Sequence, residues 1–291
     1  MQPPLSRWAG GKRHMIPRLL ELLPEGDNWT LHETFAGGAA LFWHLTSPEK
    51  PRWGVLTETC EPIRAMYRAL RDEADTVAVY MERHRRNEVI DGVNLRYYVI
   101  REEINAKRQR ISTAEAAAGV LYLNRRCFNG LWRENSKGMM NVPVGKWKKA
   151  PPPLPTREEI LAWSKALQCS YFHRTGLALH EPSDVIFADP PYAGGFTGYT
   201  AAGFSMEDQE KLIANLLLAK KAAAFFRKSR SIVTVRSSRR SRVSSAFSSL
   251  VSRPCASPRA SIAAWATHAL NDVSVSFQEG EVVCIIGPSG S

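Results

Sequence analysis

An apolar run over residues 183–188 ends at Asp189-Pro190-Pro191-Tyr192, and this junction restricts the fold more than any other stretch of the chain. A short apolar run bounded by turn residues reads as a strand buried on both faces, and such strands belong to parallel sheets covered by helices. Two successive prolines carry no backbone N–H and hold φ fixed, so neither a strand nor a helix continues through them. The chain thus presents a carboxylate on a rigid loop at the end of a buried strand. Asp-Pro-Pro alone is also good turn chemistry, so the junction has to be read with the rest of the chain.

The rest of the pattern is α/β. Residues 31–35 form a short strand that runs into Ala36-Gly37-Gly38-Ala39 and then a helix through residue 45. Residues 53–57 form a second strand that ends in an acid, Glu58. Helical spacing over 62–85 puts Ile63, Met66, Tyr67 and Leu70 on one face. Thr113-Ala114-Glu115 opens a helix to about residue 123. Residues 205–218 form another, with Ser205 at its N-cap and Asp208 three residues on. Strands alternating with helices imply a mostly parallel, helix-covered sheet.

Composition excludes several classes. No apolar run is long enough to span a bilayer, and the N-terminus lacks the regions of a signal peptide, so a cytoplasmic protein without a membrane partner is expected. Cys60, Cys127, Cys169, Cys255 and Cys284 form no C-x-x-C pair, so neither a disulfide framework nor a metal site is expected. The net charge of +11 suggests nucleic acid, but its location does not. Residues 220–261 hold eleven Lys and Arg and no acid, whereas residues 1–219 hold 28 basic and 25 acidic residues. The part that reads as an enzyme is close to neutral.

Five groups of residues carry chemistry. Methylating an exocyclic amine requires freeing the nitrogen lone pair from the ring. Asp189 and the carbonyl of Pro190 can each accept a hydrogen bond from such an NH₂ group, Pro191 stiffens the loop, and Tyr192 offers a face for an extruded base. The Phe35 to Ala39 loop, with Gly37 and Gly38, lets backbone approach a ligand closely, as in nucleotide-binding sheets. Glu58 lies about twenty residues further, where such sheets place the acid that binds ribose hydroxyls. Trp8-Ala9-Gly10-Gly11-Lys12 brackets two glycines with an aromatic ring and a lysine, a set that suits an adenosyl group bearing a carboxylate. Finally, residues 124–147 interleave amides, arginines and aromatics in a loop-rich stretch, the residue types that read and stack on bases.

In this order the pieces closely resemble the Dam-type DNA adenine-N6 methyltransferases, over residues 4–218. The resemblance implies a Rossmann-like S-adenosylmethionine-dependent methyltransferase sheet with a small inserted helical DNA-recognition domain. Trp8, Lys12, Phe35, Gly37, Gly38, Glu58 and Asp189 would line the S-adenosyl-L-methionine site. Asp189, Pro190, Pro191 and Tyr192 would hold the extruded adenine. Phe128, Asn129, Arg133, Asn135, Pro143 and Lys146 would contact duplex DNA. The default target would be GATC, and the enzyme would act as a monomer.

The chain departs from that family in three places. Glu33-Thr34-Phe35 stands where Glu-Pro-Phe is usual, and Glu58-Thr59-Cys60 where Asp-x-Asn is usual. After residue 220 a Ser/Arg-rich stretch replaces the family's later strands, so its C-terminal strands are expected to be missing and the strand before Asp189 to have an open edge. Residues 270–291 instead resemble the start of an ABC-transporter ATPase, ending at Gly287-Pro288-Ser289-Gly290-Ser291 before the lysine that reaches phosphates. The expected division is a catalytic unit of 1–60 and 170–220, a helical recognition insertion of 61–169, a frameshifted or disordered segment of 221–268, and an ATPase-like fragment of 269–291. The alternative to a competent enzyme is a defective remnant that only binds cofactor or DNA. An RNA or small-molecule methyltransferase is a further reading, disfavoured by residues 128–146.

Overall fold

The structure, a computed structural model, describes residues 11–21, 29–106, 113–174, 185–190 and 283–286, with positions 5, 23, 26, 205, 207, 208, 211 and 212. Its centre is a parallel sheet of β1 (Leu31–Thr34), β2 (Gly54–Thr57), β3 (Ser170–His173), β4 (Val185–Ala188) and β5 (Val283–Ile286). The strand order is β3-β2-β1-β4-β5, and every pair is parallel. β1, β2 and β4 are buried at all four positions, as expected of strands covered on both faces.

The chain crosses from β1 outward to β2 on one side and returns to β4 on the other. The crevice where the winding reverses, at the carboxyl ends of β1 and β4, is where sheets of this kind bind ligands. β5 occupies the far edge of β4 in register Val185↔Val283 to Ala188↔Ile286. The edge expected to be open is therefore paired through the backbone of the C-terminal fragment, which satisfies the outward amides and carbonyls of β4.

Two helices pack on the sheet, and a third packs on the 3₁₀ turn that leads into it. α1 (Ile16–Leu20) follows a 3₁₀ turn, Lys12–Met15. α2 (Ala40–Leu45) lies on the sheet, close enough that a Cβ on Gly54 would sit 3.0 Å from the Phe42 ring. α3 (Glu61–Asp72) adds Tyr67, stacked between Trp43 and Phe172. Trp43 and Tyr67 are fully buried and each contribute roughly 2–3 kcal/mol of burial, while Phe172 is partly buried against them.

The single helix expected over 62–85 is two, because Glu73 leaves the helical region (φ −133°, ψ 33°) and α4 (Ala74–Asp91) starts at a new angle. α5 (Val93–Ala106), α6 (Ala114–Arg126) and α7 (Arg157–Leu167) complete a helical unit. α6 is its central helix: only Glu115 and Arg125 of its residues are not buried. Thr113 caps it by accepting the Ala116 N–H at 3.2 Å. At Gly119 the helices pack closely: a Cβ there would lie 3.0 Å from Ile104 Cδ1 of α5. Arg126 and Tyr122 of α6 both bind Glu88 of α4, with Arg126 Nε to Glu88 Oε2 at 2.6 Å. Burial alone would raise the Glu88 pKa, but these bonds outweigh it and hold the carboxyl below its usual range.

Among the described residues no helix is long and apolar enough to cross a membrane. Nor does any group of three or more His, Cys, Asp or Glu among them form a metal site.

Candidate active site

Glu33 is the first polar group the fold commits. It sits on β1 with a side chain 2% exposed. α2 begins at Ala39 in the left-handed region (φ 47°) with no side-chain cap of its own. Glu33 Oε2 instead accepts the Phe42 N–H at 2.9 Å, so the strand carboxyl caps the helix start. Burial dominates its ionisation and pushes the pKa up to about 8, against the helix amides that favour the charge; the nearby charge of Asp189 adds to the rise.

The loop from β1 to α2 is held in an unusual conformation. Phe35 (φ 57°) and Ala39 (φ 47°) both take positive φ without being glycine, and Gly37 has φ 49°. Such angles cost about 1 kcal/mol or more each for non-glycine residues. They persist because the loop is clamped. Ala36 N–H binds Thr57 O at 2.8 Å, and Tyr67 O–H binds Gly37 O at 2.8 Å. Glu58, at the end of β2, receives the Gly37 N–H on Oε2 and the Cys60 N–H on Oε1, both at 2.8 Å. The structure therefore brings the expected glycine loop and the expected acid into direct contact. Burial raises the Glu58 pKa, partly countered by those amides and by Arg64.

Asp189 follows β4 at the same end of the sheet. Its Oδ2 pairs with Lys12 Nζ at 2.6 Å, with Lys12 4% and Asp189 17% exposed. Its Oδ1 is buried and accepts no hydrogen bond among the described residues. Burial raises the Asp189 pKa to about 6, while Lys12 holds it down. A buried carboxylate oxygen with no donor among the described residues, at the end of the sheet where β1 and β4 diverge, fits a ligand that brings its own N–H or O–H. Pro190 is buried beside it. Leu5 is fully buried and its carbonyl accepts from Arg125 of α6 at 2.9 Å, which ties the N-terminal segment near this crevice to the helical unit. Trp8, Pro191 and Tyr192 lie outside the described residues.

Residues 126–145 form an irregular antiparallel hairpin with bridges Cys127↔Val144 and Glu134↔Met140. Trp132, Met140 and Val142 are buried anchors. α5 grips the hairpin through Tyr97 O–H to Val142 O (2.8 Å), and through Asn105, which binds both the N–H and the carbonyl of Met140. Phe128 is 45% exposed, and Asn129, Pro143 and Lys146 are exposed with it. Arg133 is steadied by Asn141 Oδ1 at 2.8 Å. Asn135 Oδ1 accepts the N–H groups of Lys137 and Met139, so this amide oxygen shapes the turn. The hairpin meets the residue that follows Glu58 and Thr59 at a buried contact, where the Cys60 thiol donates to Glu134 Oε1.

Glu33, Cys60 and Glu134 lie within the motif stretches but carry no site role there, and Tyr67 reads from sequence only as part of a helix face. Glu33 left a trace in the sequence, an acid inside an otherwise buried strand. The other three are ordinary helix, cap and hairpin positions whose neighbours only the fold supplies.

A parallel sheet with its glycine loop, strand-end acid and Lys–Asp pair at the point of reversal has the architecture of a Rossmann-like methyltransferase. The model of the D12 class N6 adenine-specific DNA methyltransferases matches residues 8–246, and the chain belongs to that family. The match runs past residue 220 into the Ser/Arg-rich stretch. The Type II methyltransferase M1.LlaDCHI of Lactococcus lactis subsp. cremoris is 32% identical over 222 residues, covering 72% of this chain and 74% of that protein. The Type II methyltransferase M.MjaIII of Methanocaldococcus jannaschii is 27% identical over 233 residues, 72% of this chain and 77% of its own length. The DNA adenine methylase of Serratia marcescens is 31% identical over 219 residues, 71% and 74% respectively. Family membership implies a methyl donor and a DNA substrate.

Proposed function

We propose that the chain transfers a methyl group from S-adenosyl-L-methionine to N6 of an adenine flipped out of duplex DNA, with GATC as its target. The observation that carries this reading is the Lys12–Asp189 pair with its spare buried oxygen, placed where β1 and β4 diverge. S-adenosyl-L-methionine would supply an electrophilic methyl on a sulfonium. Glu58 would take the ribose hydroxyls on the lone pairs its two amide donors leave, and Lys12 would face the donor's carboxylate. Asp189 and the Pro190 carbonyl would accept the two N–H bonds of the adenine amine. That would draw the nitrogen toward tetrahedral geometry with its lone pair facing the methyl; the N–C bond would form as the donor's S–C bond breaks to leave a neutral thioether, and Asp189 would take the extra amine proton. Pro191 would keep the loop rigid and Tyr192 would stack on the flipped base. Phe128, Asn129, Arg133, Asn135, Pro143 and Lys146 would contact the duplex from the hairpin. In this reading residues 1–60 and 170–220 form the catalytic unit, and 61–169 the recognition insertion.

Asp189 must be ionised to accept, so transfer is expected to fall as pH drops through about 6. The test of target and flipping uses duplexes with and without GATC, the target adenine replaced by 2-aminopurine in a parallel set. Transfer confined to GATC duplexes, with a rise in 2-aminopurine fluorescence on binding, is expected. Equal transfer to duplexes lacking GATC discards the target. Folded protein that binds DNA and transfers nothing establishes the defective remnant instead.

A further inference from the structure

A line of buried contacts runs from the glycine loop to the hairpin. Gly37 N–H and Cys60 N–H hold the two oxygens of Glu58. The Cys60 thiol reaches Glu134 Oε1 at 3.6 Å, across 74 residues of sequence. Cys60 is 4% and Glu134 9% exposed. Burial, with the charges of Glu58 and Glu134, keeps the thiol protonated well above its ordinary range, so it remains a donor.

Glu134 stands between two of the expected DNA-contacting residues. Side chains alternate along extended chain. Trp132 and Glu134 are buried, whereas Arg133 and Asn135 are half-buried on the outward side. Glu134 also bridges Met140 on the return strand. A shift of the Glu134 backbone carries its chain neighbours Arg133 and Asn135 with it. Any displacement of Cys60 moves an amide that holds the Glu58 carboxylate.

We propose that the Cys60–Glu134 contact is the joint through which the cofactor pocket and the DNA-reading hairpin act on each other, so that donor and duplex bind more tightly together than apart. Cys60 and Glu134 are positioning residues for both ligands. The inference rests on the reading above, in which Glu58 binds the donor's ribose and the hairpin binds DNA. A ribose on Glu58 fixes the carboxylate and, through its amide donor, Cys60; a duplex on the hairpin fixes Glu134. Each ligand orders part of what the other requires, and the ordering cost is met once. By linkage the enhancement is the same in both directions.

The test measures the Kd of sinefungin, a non-transferring analogue of the donor, by titration calorimetry on the full chain, with and without saturating unmethylated duplex. Wild type is expected to bind about fivefold more tightly or better with DNA present. Cys60→Ala and Glu134→Ala should each bring that ratio close to one, while Cys60→Ser, which keeps a donor, should retain most of it. Glu134→Gln, which keeps size and an uncharged acceptor, should give an intermediate ratio, and it decides the matter should an alanine variant fail to fold. A wild-type ratio near one overturns the proposal, as do variants that keep the wild-type ratio. Wild type that binds no sinefungin at all defeats the donor reading itself, whereas binding without coupling defeats the joint alone.

Discussion

Replacing Glu33 with glutamine is expected to remove a pH dependence of stability that the wild type carries between pH 7 and 9. Glu33 caps α2 from inside the sheet, and its pKa rises from the usual 4.5 to about 8. A raised folded-state pKa means the native state holds a proton the unfolded chain has already lost. Its stabilising contribution is complete below about 4.5 and disappears as pH climbs through 8. Between pH 7 and 9 the native carboxyl goes from mostly protonated to mostly ionised, while the unfolded one stays ionised throughout. The loss over that window is about 1.4 kcal/mol, one decade of proton binding. Glutamine keeps the acceptor for Phe42 N–H and has no proton to lose. Urea denaturation at pH 7 and pH 9, on wild type and Glu33→Gln, isolates the effect because all other groups cancel in the comparison. The variant should lose about 1.4 kcal/mol less than wild type across the interval. Equal losses would show that Glu33 is ionised at pH 7 and would refute the burial argument.

Further outcomes follow from the supporting structure. Arg126→Met leaves the half-buried Glu88 with Tyr122 alone and should cost about 1–3 kcal/mol, or roughly 5 °C in Tm, by thermal melting; a drop of only a degree or less would mean the pair adds nothing. Gly145→Ala drives a Cβ to 2.5 Å from the Trp147 ring and should weaken duplex binding with a stability loss of about 1–3 kcal/mol. Unchanged DNA titrations would place the Trp147 ring elsewhere. Deleting residues 269–291 strips β4 of its pairing with β5 and should lower Tm and methyl transfer together. A deletion protein with wild-type Tm would show that the β4 edge needs no partner.

How far the fold could be read in advance depends on burial. β1, β2 and β4 announce themselves because both faces are covered and their residues form the strands' apolar or turn-bounded runs. β3 does not, since Tyr171 is 50% exposed at the sheet margin and Ser170-Tyr171-Phe172-His173 has no such run. The N-cap of α6 at Thr113 is legible from local chemistry. Ser205 and Asp208 likewise exchange the hydrogen bonds of a capping box. α7 carries the same signal in Thr156-Arg157-Glu158-Glu159, where the reciprocal bonds form. The break at Glu73 left no trace, since no proline or glycine marks it. The crevice residues Lys12, Gly37, Glu58 and Asp189 are legible as motifs because each ends a strand or opens a turn. The Cys60–Glu134 contact depends on two segments 74 residues apart meeting, which local pattern does not encode.

We propose that Asp189, paired with Lys12 at the reversal of the sheet, accepts the amine of the target adenine. The direct measurement incubates wild type and Asp189→Ala with labelled S-adenosyl-L-methionine and unmethylated duplex DNA, and quantifies N6-methyladenine by mass spectrometry alongside duplex affinity. Wild type should produce N6-methyladenine; Asp189→Ala should produce essentially none while binding duplex within a few-fold of wild type, because the substitution removes no phosphate contact. Comparable N6-methyladenine from both proteins would contradict the assignment of the active site.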